Sequence, residues 1–125
     1  MIIKNSYGLS FEFLENGSVK CIDAENIRVS LRPASLFSKS GTNIWLRLKA
    51  NPCIYTPLLG PESSSRFSVK GNRFIATGSW SGLSYSCMLQ LSDKSQSWQW
   101  SVIIENTSGK TVEADLLYVQ DVGLK

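Results

Sequence analysis

Histidine is absent from the 125-residue chain, which removes the commonest general base and the commonest metal ligand together. Carboxylate chemistry stays open, because ten Asp and Glu residues remain, and a pair facing one cleft is what a glycosidase needs. Nothing in their spacing marks such a pair. Glu12, Glu15, Asp23, Glu25, Glu105, Glu113 and Asp115 fall at outward-looking strand positions or beside turns, the ordinary place for a solvated charge. Asp121 differs from them in following an apolar run. Gly78-Ser79-Trp80-Ser81-Gly82 has the outline of a nucleophile elbow, but Trp80 holds the place where that motif needs serine, and strands flank it. No helix N-terminus follows to make it a phosphate loop. Cys21, Cys53 and Cys87 are far apart and odd in number, so they form no metal-type pair. Cys87 has no cation beside it to activate its thiol, and its strand parity with Tyr85, Leu89 and Leu91 makes it a small buried residue. These residues leave no catalytic centre, no metal site and no cofactor site.

The tryptophans are the functional candidates, because an exposed indole stacks on the apolar face of a sugar while nearby polar groups bind its hydroxyls. Trp98 and Trp100 share parity with Val102 and Ile104, which points them into the core. Trp45 lies on the strand face opposite Ile44, Leu46 and Leu48, beside Arg47, and is either exposed or met by a second layer. Trp80 sits at a hairpin tip, where a sugar contact, a protein contact or local packing would each account for it, and it is the first choice for an exposed anchor.

The elements that must position these residues are strands. Apolar and polar residues alternate in segment after segment, with Gly, Asn, Asp and Ser clusters between, and helical spacing is never sustained. Leu9, Phe11 and Phe13 alternate up to an Asn16-Gly17 turn, and Val19 and Ile22 return. A third strand is expected over 26–32, stopped by Pro33. Residues 43–49 alternate again, while 51–65, with three prolines, read as one ordered irregular loop. From Arg66 onward hairpins turn at Gly71-Asn72 and at 80–82, and two longer strands over 96–106 and 110–123 flank the turn 106–109. That makes roughly nine strands in an all-β, antiparallel sandwich occupying 1–125 as a single domain.

The net charge of +3 is scattered, without the clustered basic face that a phosphate backbone selects, so nucleic acid is not an expected partner. No stretch has the length of a signal peptide's apolar region or of a membrane span, which makes the cytoplasm the expected address and a membrane no partner.

Several stretches resemble the N-terminal β-sandwich region of inverting glycoside phosphorylases of the cellobiose phosphorylase type, especially the branch acting on β-1,2-linked glucans. They are Phe11-Glu12-Phe13-Leu14-Glu15-Asn16-Gly17-Ser18-Val19-Lys20 with Ile22-Asp23, Asn43-Ile44-Trp45-Leu46-Arg47, Tyr55-Thr56-Pro57-Leu58-Leu59-Gly60-Pro61 with Ser63, Ser65 and Phe67, and Asp115-Leu116-Leu117-Tyr118-Val119-Gln120-Asp121-Val122-Gly123-Leu124. The resemblance implies a sandwich of the galactose-mutarotase-like, supersandwich type, incomplete here, forming the N-terminal part of a larger carbohydrate-active enzyme. It implies a separate helical barrel domain carrying the catalysis, so that no catalytic residue transfers to this chain. By that resemblance the Tyr55 loop and the Asp121 end face the helical domain or a second subunit, and apolar surface meant for absent strands favours self-association. The expected role is a non-catalytic module for domain or subunit assembly, with glucan positioning as an accompaniment. The alternative is a stand-alone carbohydrate-binding module that holds a β-glucan or other oligosaccharide on exposed Trp. Trp80, Trp45, Arg47, Tyr55 and Asp121 are the carbohydrate or interface candidates.

Overall fold

Period-two alternation fixes which side chains can be buried together, and the computed structural model, which describes residues 1–30, 34–35 and 38–123, follows it strand by strand. Among the described residues eleven strands run in chain order as β1 (Ile2–Lys4), β2 (Leu9–Phe13), β3 (Val19–Ala24), β4 (Ile27–Arg28), β5 (Thr42–Leu48) and β6 (Ile54–Pro57), then β7 (Ser65–Lys70), β8 (Arg73–Trp80), β9 (Leu83–Leu91), β10 (Trp98–Asn106) and β11 (Ala114–Gln120). All pairings are antiparallel, in three sheets ordered β1-β2-β3-β4, β10-β9-β8-β7 and β11-β5-β6. No helix occurs among the described residues. The inner faces of the three sheets meet in one apolar core, which makes the fold a β-sandwich.

That core is built from alternate residues: Leu9, Phe11 and Phe13 of β2, Ile44 and Leu46 of β5, and Leu83, Tyr85, Cys87, Leu89 and Leu91 of β9 are all buried. Phe13 lies flat on Phe74 with ring centroids 3.7 Å apart and planes 4° off parallel, joining the first sheet to the second. Phe11 meets the Trp98 ring edge-on at 5.2 Å. Leu58 and Leu59, just past β6, close the core from the third sheet.

Two of the eleven strands lie outside the nine expected. β1 was hidden because only Ile2 and Ile3 precede Lys4, too short a run to show a period. β6 falls inside the proline-rich stretch 51–65; it is an edge strand, where Pro57 removes no hydrogen bond that a neighbour needs. The expected strand over 26–32 is only β4 among the described residues, and Leu31, Arg32 and Pro33 lie outside them. The hairpin turns follow their residues. Ser81 and Gly82 both have positive φ, 50° and 78°, between the paired Trp80 and Leu83, the geometry that matches strand twist in a two-residue loop. Gly78, the glycine that looked like part of a site motif, is instead a packing requirement. It pairs across the ladder with Tyr85, and a Cβ there would sit 2.6 Å from the Tyr85 hydroxyl and 2.5 Å from the Ser64 carbonyl oxygen.

Gly17 in the first hairpin carries two demands at once: φ is +83°, and a Cβ would fall 2.1 Å from the Phe67 ring. Gly71 shares only the first, with φ +60° and, among the described residues, no non-neighbouring atom within 4 Å of where a Cβ would lie. Gly71→Ala is therefore expected to lose about 1–2 kcal/mol for the left-handed backbone. Gly17→Ala should lose a further ~1–3 kcal/mol, the usual cost of overpacking, because the Phe67 ring must also move off the core. Urea denaturation of both variants measures the difference, and equal losses would show that the Phe67 contact does not hold this hairpin down.

Candidate functional site

The outer face of the β11-β5-β6 sheet gathers most of the residues singled out in the sequence. Cross-strand register sets them in rows: Asp115, Arg47 and Tyr55 in one, and Leu117, Trp45 and Pro57 in the next, with Val119 and Asn43 beyond. In the first row the Arg47 guanidinium grips Asp115 with both arms, Nε donating to Oδ1 at 2.8 Å and Nη2 to Oδ2, and Lys49 Nζ stands 3.6 Å from the same carboxylate. Hydrogen bonding from Arg47 holds the Asp115 carboxyl below the usual carboxylate range, against the opposing effect of desolvation, and the same bond raises Arg47. Both charges are thus spent on each other.

Past the Trp45 row the sheet becomes the floor of a cleft of about 550 Å³, within the size range of small-ligand sites. Trp45, Pro57 and Val119 contribute to it from the sheet, and Asn43, Gln120 and Asp121 bring polar groups. One wall is the corner 58–62. Asn43 holds that corner by imitating a strand partner: its Nδ2 donates to the Leu59 carbonyl at 3.1 Å and its Oδ1 accepts from the Leu59 N–H at 3.2 Å. The Ser63 hydroxyl donates to the Gly60 carbonyl at 2.6 Å and tightens the turn. At the rim, Lys39 and Glu62 approach to 3.3 Å as a largely exposed pair, which adds little stability.

Asp121 sits where β11 leaves the sheet. Its backbone N–H donates to the Gly41 carbonyl at 3.1 Å, and Thr42 Oγ1 donates to its Oδ1 at 3.5 Å. Gly41 has no side chain because the Asp121 carboxylate occupies that space, 2.2–2.6 Å from where a Cβ would lie. Trp45 and Asp121 therefore share one cleft, while Arg47 and Tyr55 stand on the same face one row outside it. Trp80 does not join them. The expectation of an exposed anchor is corrected: Trp80 is half-buried against the core, because it shares parity with Phe74 and Ala76 at the end of β8. Trp98 and Trp100 face the core as expected, yet are only half-covered.

The other chemistry-bearing groups are structural. Glu12 pairs with Lys20 at 3.0 Å, and Asp23 with Arg28 at 2.6 Å, across neighbouring strands. Burial pushes the Cys87 thiol up to about 12, and burial and then Asp23 raise Cys21. Among the described residues no three of His, Cys, Asp and Glu come together as a cation site would require. Asn43 and Gln120 were not singled out from the sequence; the available signal was the parity that puts Asn43 on one face with Trp45 and Arg47.

A family model described as the SOGP N-terminal domain matches residues 12–125. The chain belongs to this family. Membership of the SOGP N-terminal domain family overturns the resemblance to the cellobiose-phosphorylase-type N-terminal region. The segments that carried that resemblance are short alternating strands with their turns, and such patterns follow from sandwich burial as readily as from a shared family. Among curated proteins, none matches the chain. In this SOGP N-terminal domain no helix is long and apolar enough to cross a membrane, among the described residues.

The Arg47–Asp115 pair has a pH signature. A carboxyl whose folded pKa is depressed adds stability above its unfolded value, about 3.9, and that stability disappears as pH falls through the folded value. Asp115→Asn is expected to be less stable than the parent at neutral pH. The gap between their denaturation midpoints should close as pH drops below about 4. A gap that stays constant into strong acid would mean that Asp115 contributes through packing rather than charge.

Proposed function

We propose that this domain is a non-catalytic assembly module, which works by offering unpaired strands and apolar surface to another folded unit or another subunit. The observation that carries the reading is on β11. Four consecutive apolar residues, Leu116, Leu117, Tyr118 and Val119, are 39–51% exposed although the strand alternates between two faces. An edge strand apolar on both sides is a liability unless something covers it. β10 supports the same reading. Its core-facing side, Trp98, Trp100, Val102 and Ile104, is only half-covered, and the buried Trp100 Nε1–H finds no acceptor among the described residues. The family's description as an N-terminal domain fits a module that acts beside others.

Assembly is tested by the apparent size of the protein in extracts of its natural source, comparing the parent with a Leu116→Lys/Val119→Lys variant. The expected outcome is a larger species in the parent that is lost in the variant, with the domain's strand content unchanged. An assembly indifferent to both lysines would overturn the reading.

A second reading has its own observation, the Trp45 cleft. An indole beside amide, carboxylate and hydroxyl groups suits an oligosaccharide, whose rings have an apolar face and a polar edge. On this reading the module also positions a glucan. Titration with β-glucan oligosaccharides should give a saturable change in tryptophan fluorescence that Trp45→Ala abolishes and Trp80→Ala leaves in place. Absence of any response at millimolar sugar would sink it.

A further inference from the structure

The backbone of β11 states which partner its edge fits. Lys49 N–H donates to the Glu113 carbonyl and Asp121 N–H to the Gly41 carbonyl, so the odd-numbered residues between them direct their N–H and C=O groups to β5. In an antiparallel ladder the alternate residues then point the other way. Ala114, Leu116, Tyr118 and Gln120 thus present their backbone groups at the free edge, and among the described residues no hydrogen bond reaches them.

We propose that this edge pairs with β11 of a second copy, antiparallel about a two-fold axis at Leu117. The proposal rests on the assembly reading above and names the partner. Only one register lets every edge-facing residue of both copies pair. Leu116 then stands opposite Tyr118 of the second copy, Ala114 opposite Gln120, and Leu117 opposite itself. A shift of two residues strands one end of the edge. A shift of one sets edge-facing groups against groups already bonded to β5. The side chains agree with this register. Leu117 meets Leu117 on the outer face, and Leu116 meets Tyr118 twice on the inner face. Within β11 Asp115 faces Val119, so no like charges stand opposite each other inside the strand, and the one like-charge approach in this register is Glu113 against Asp121 of the second copy, just past the strand ends. The single charge on the strand is already neutralised by Arg47 and Lys49.

The other edges fit such pairing less well. β1 and β4 have three and two residues, β6 ends in Pro57, and β7 carries Arg66 and Lys70. β10 is long, but Ile103 is its one large apolar side chain left exposed. The product of pairing at β11 is a continuous six-stranded sheet, β6-β5-β11 and its symmetry mate, with the two Trp45 clefts on the same face. Such an isologous contact closes on itself and does not propagate into fibres.

The register makes the test sharp. At the two-fold axis Leu117 forms a non-hydrogen-bonded pair with its mate, with Cα atoms about 4.5 Å apart, inside the span of a disulfide. Leu116 and its mate are diagonal, roughly 7–8 Å apart, and cannot be bridged. In a Cys53→Ser background, which removes the exposed native thiol, Leu117→Cys is expected to oxidise to a covalent dimer and Leu116→Cys to stay largely uncrosslinked. The parent chain should sediment as a dimer at tens of micromolar. Tyr118→Pro, which removes an edge N–H that β5 does not use, should sediment as a monomer with its strand circular dichroism retained. A monomeric parent, a dimer that survives Tyr118→Pro, or equal cross-linking from positions 116 and 117 would each overturn the pairing. If the parent is monomeric while the lysine variant still changes the assembly in extracts, self-pairing is wrong and the assembly reading stands.

Discussion

The stack of Phe13 on Phe74 is the contact on which the arrangement of sheets depends. Two rings 3.7 Å apart and nearly parallel set how β2 lies over β8, and the edge-on pair of Phe11 and Trp98 at 5.2 Å has the geometry in which aromatic pairs add about 0.5–1.5 kcal/mol beyond the area they bury. Phe67 extends the row, its ring 5.7 Å from Phe74 and resting where Gly17 has no side chain. Phe11 and Trp98 continue it in the other direction. The aromatic row thus runs from the first hairpin across β7, β8 and β10, and the requirement for glycine at 17 follows from it. The third sheet joins through Ile44, Leu46, Leu58 and Leu59.

A core organised in this way favours the middle strands. β9, paired on both sides, buries every second residue completely, down to 0% exposure at Cys87, Leu89 and Leu91. Among the described residues β10 and β11 are each paired on one side only. The inner face of β11 projects past the cover, leaving Leu116 39% and Tyr118 51% exposed on the side that ought to be buried. Exposure there is a consequence of geometry and not of composition, since the residues themselves are those of a core strand. The same geometry explains why Trp100 is half-covered and its N–H has no partner among the described residues.

Alternation made the strands from β7 to β11 legible, because each is long enough to show its period and is bounded by a recognisable turn. It also placed Trp45, Arg47 and Lys49 on one face of β5. It could not show what lay across from them: that Asp115 would be the partner of Arg47 depends on pairing β5 with β11, a separation of 68 residues along the chain. Trp80 was misjudged for a related reason. A hairpin tip suggests exposure, but parity with Phe74 turns the indole inward, and parity prevails because the strand continues up to the turn itself. The cleft was not legible at all. Its corner is held by the Asn43 side chain acting as a strand, and its wall follows a β6 that prolines concealed.

These features converge on β11. Its odd residues bond to β5 and send side chains to the outer face, where Asp115 binds Arg47 and Val119 helps to floor the cleft. Its even residues leave their backbone groups at the free edge. The Asp121 carboxylate, seated against Gly41 at the end of the strand, belongs to the cleft as well. One strand therefore forms both the rim of the cleft and the margin of the sheet, and whatever pairs with that margin becomes a neighbour of the cleft. The cleft and the free edge therefore share one strand, because a strand of seven residues with a period of two gives one set of groups to each.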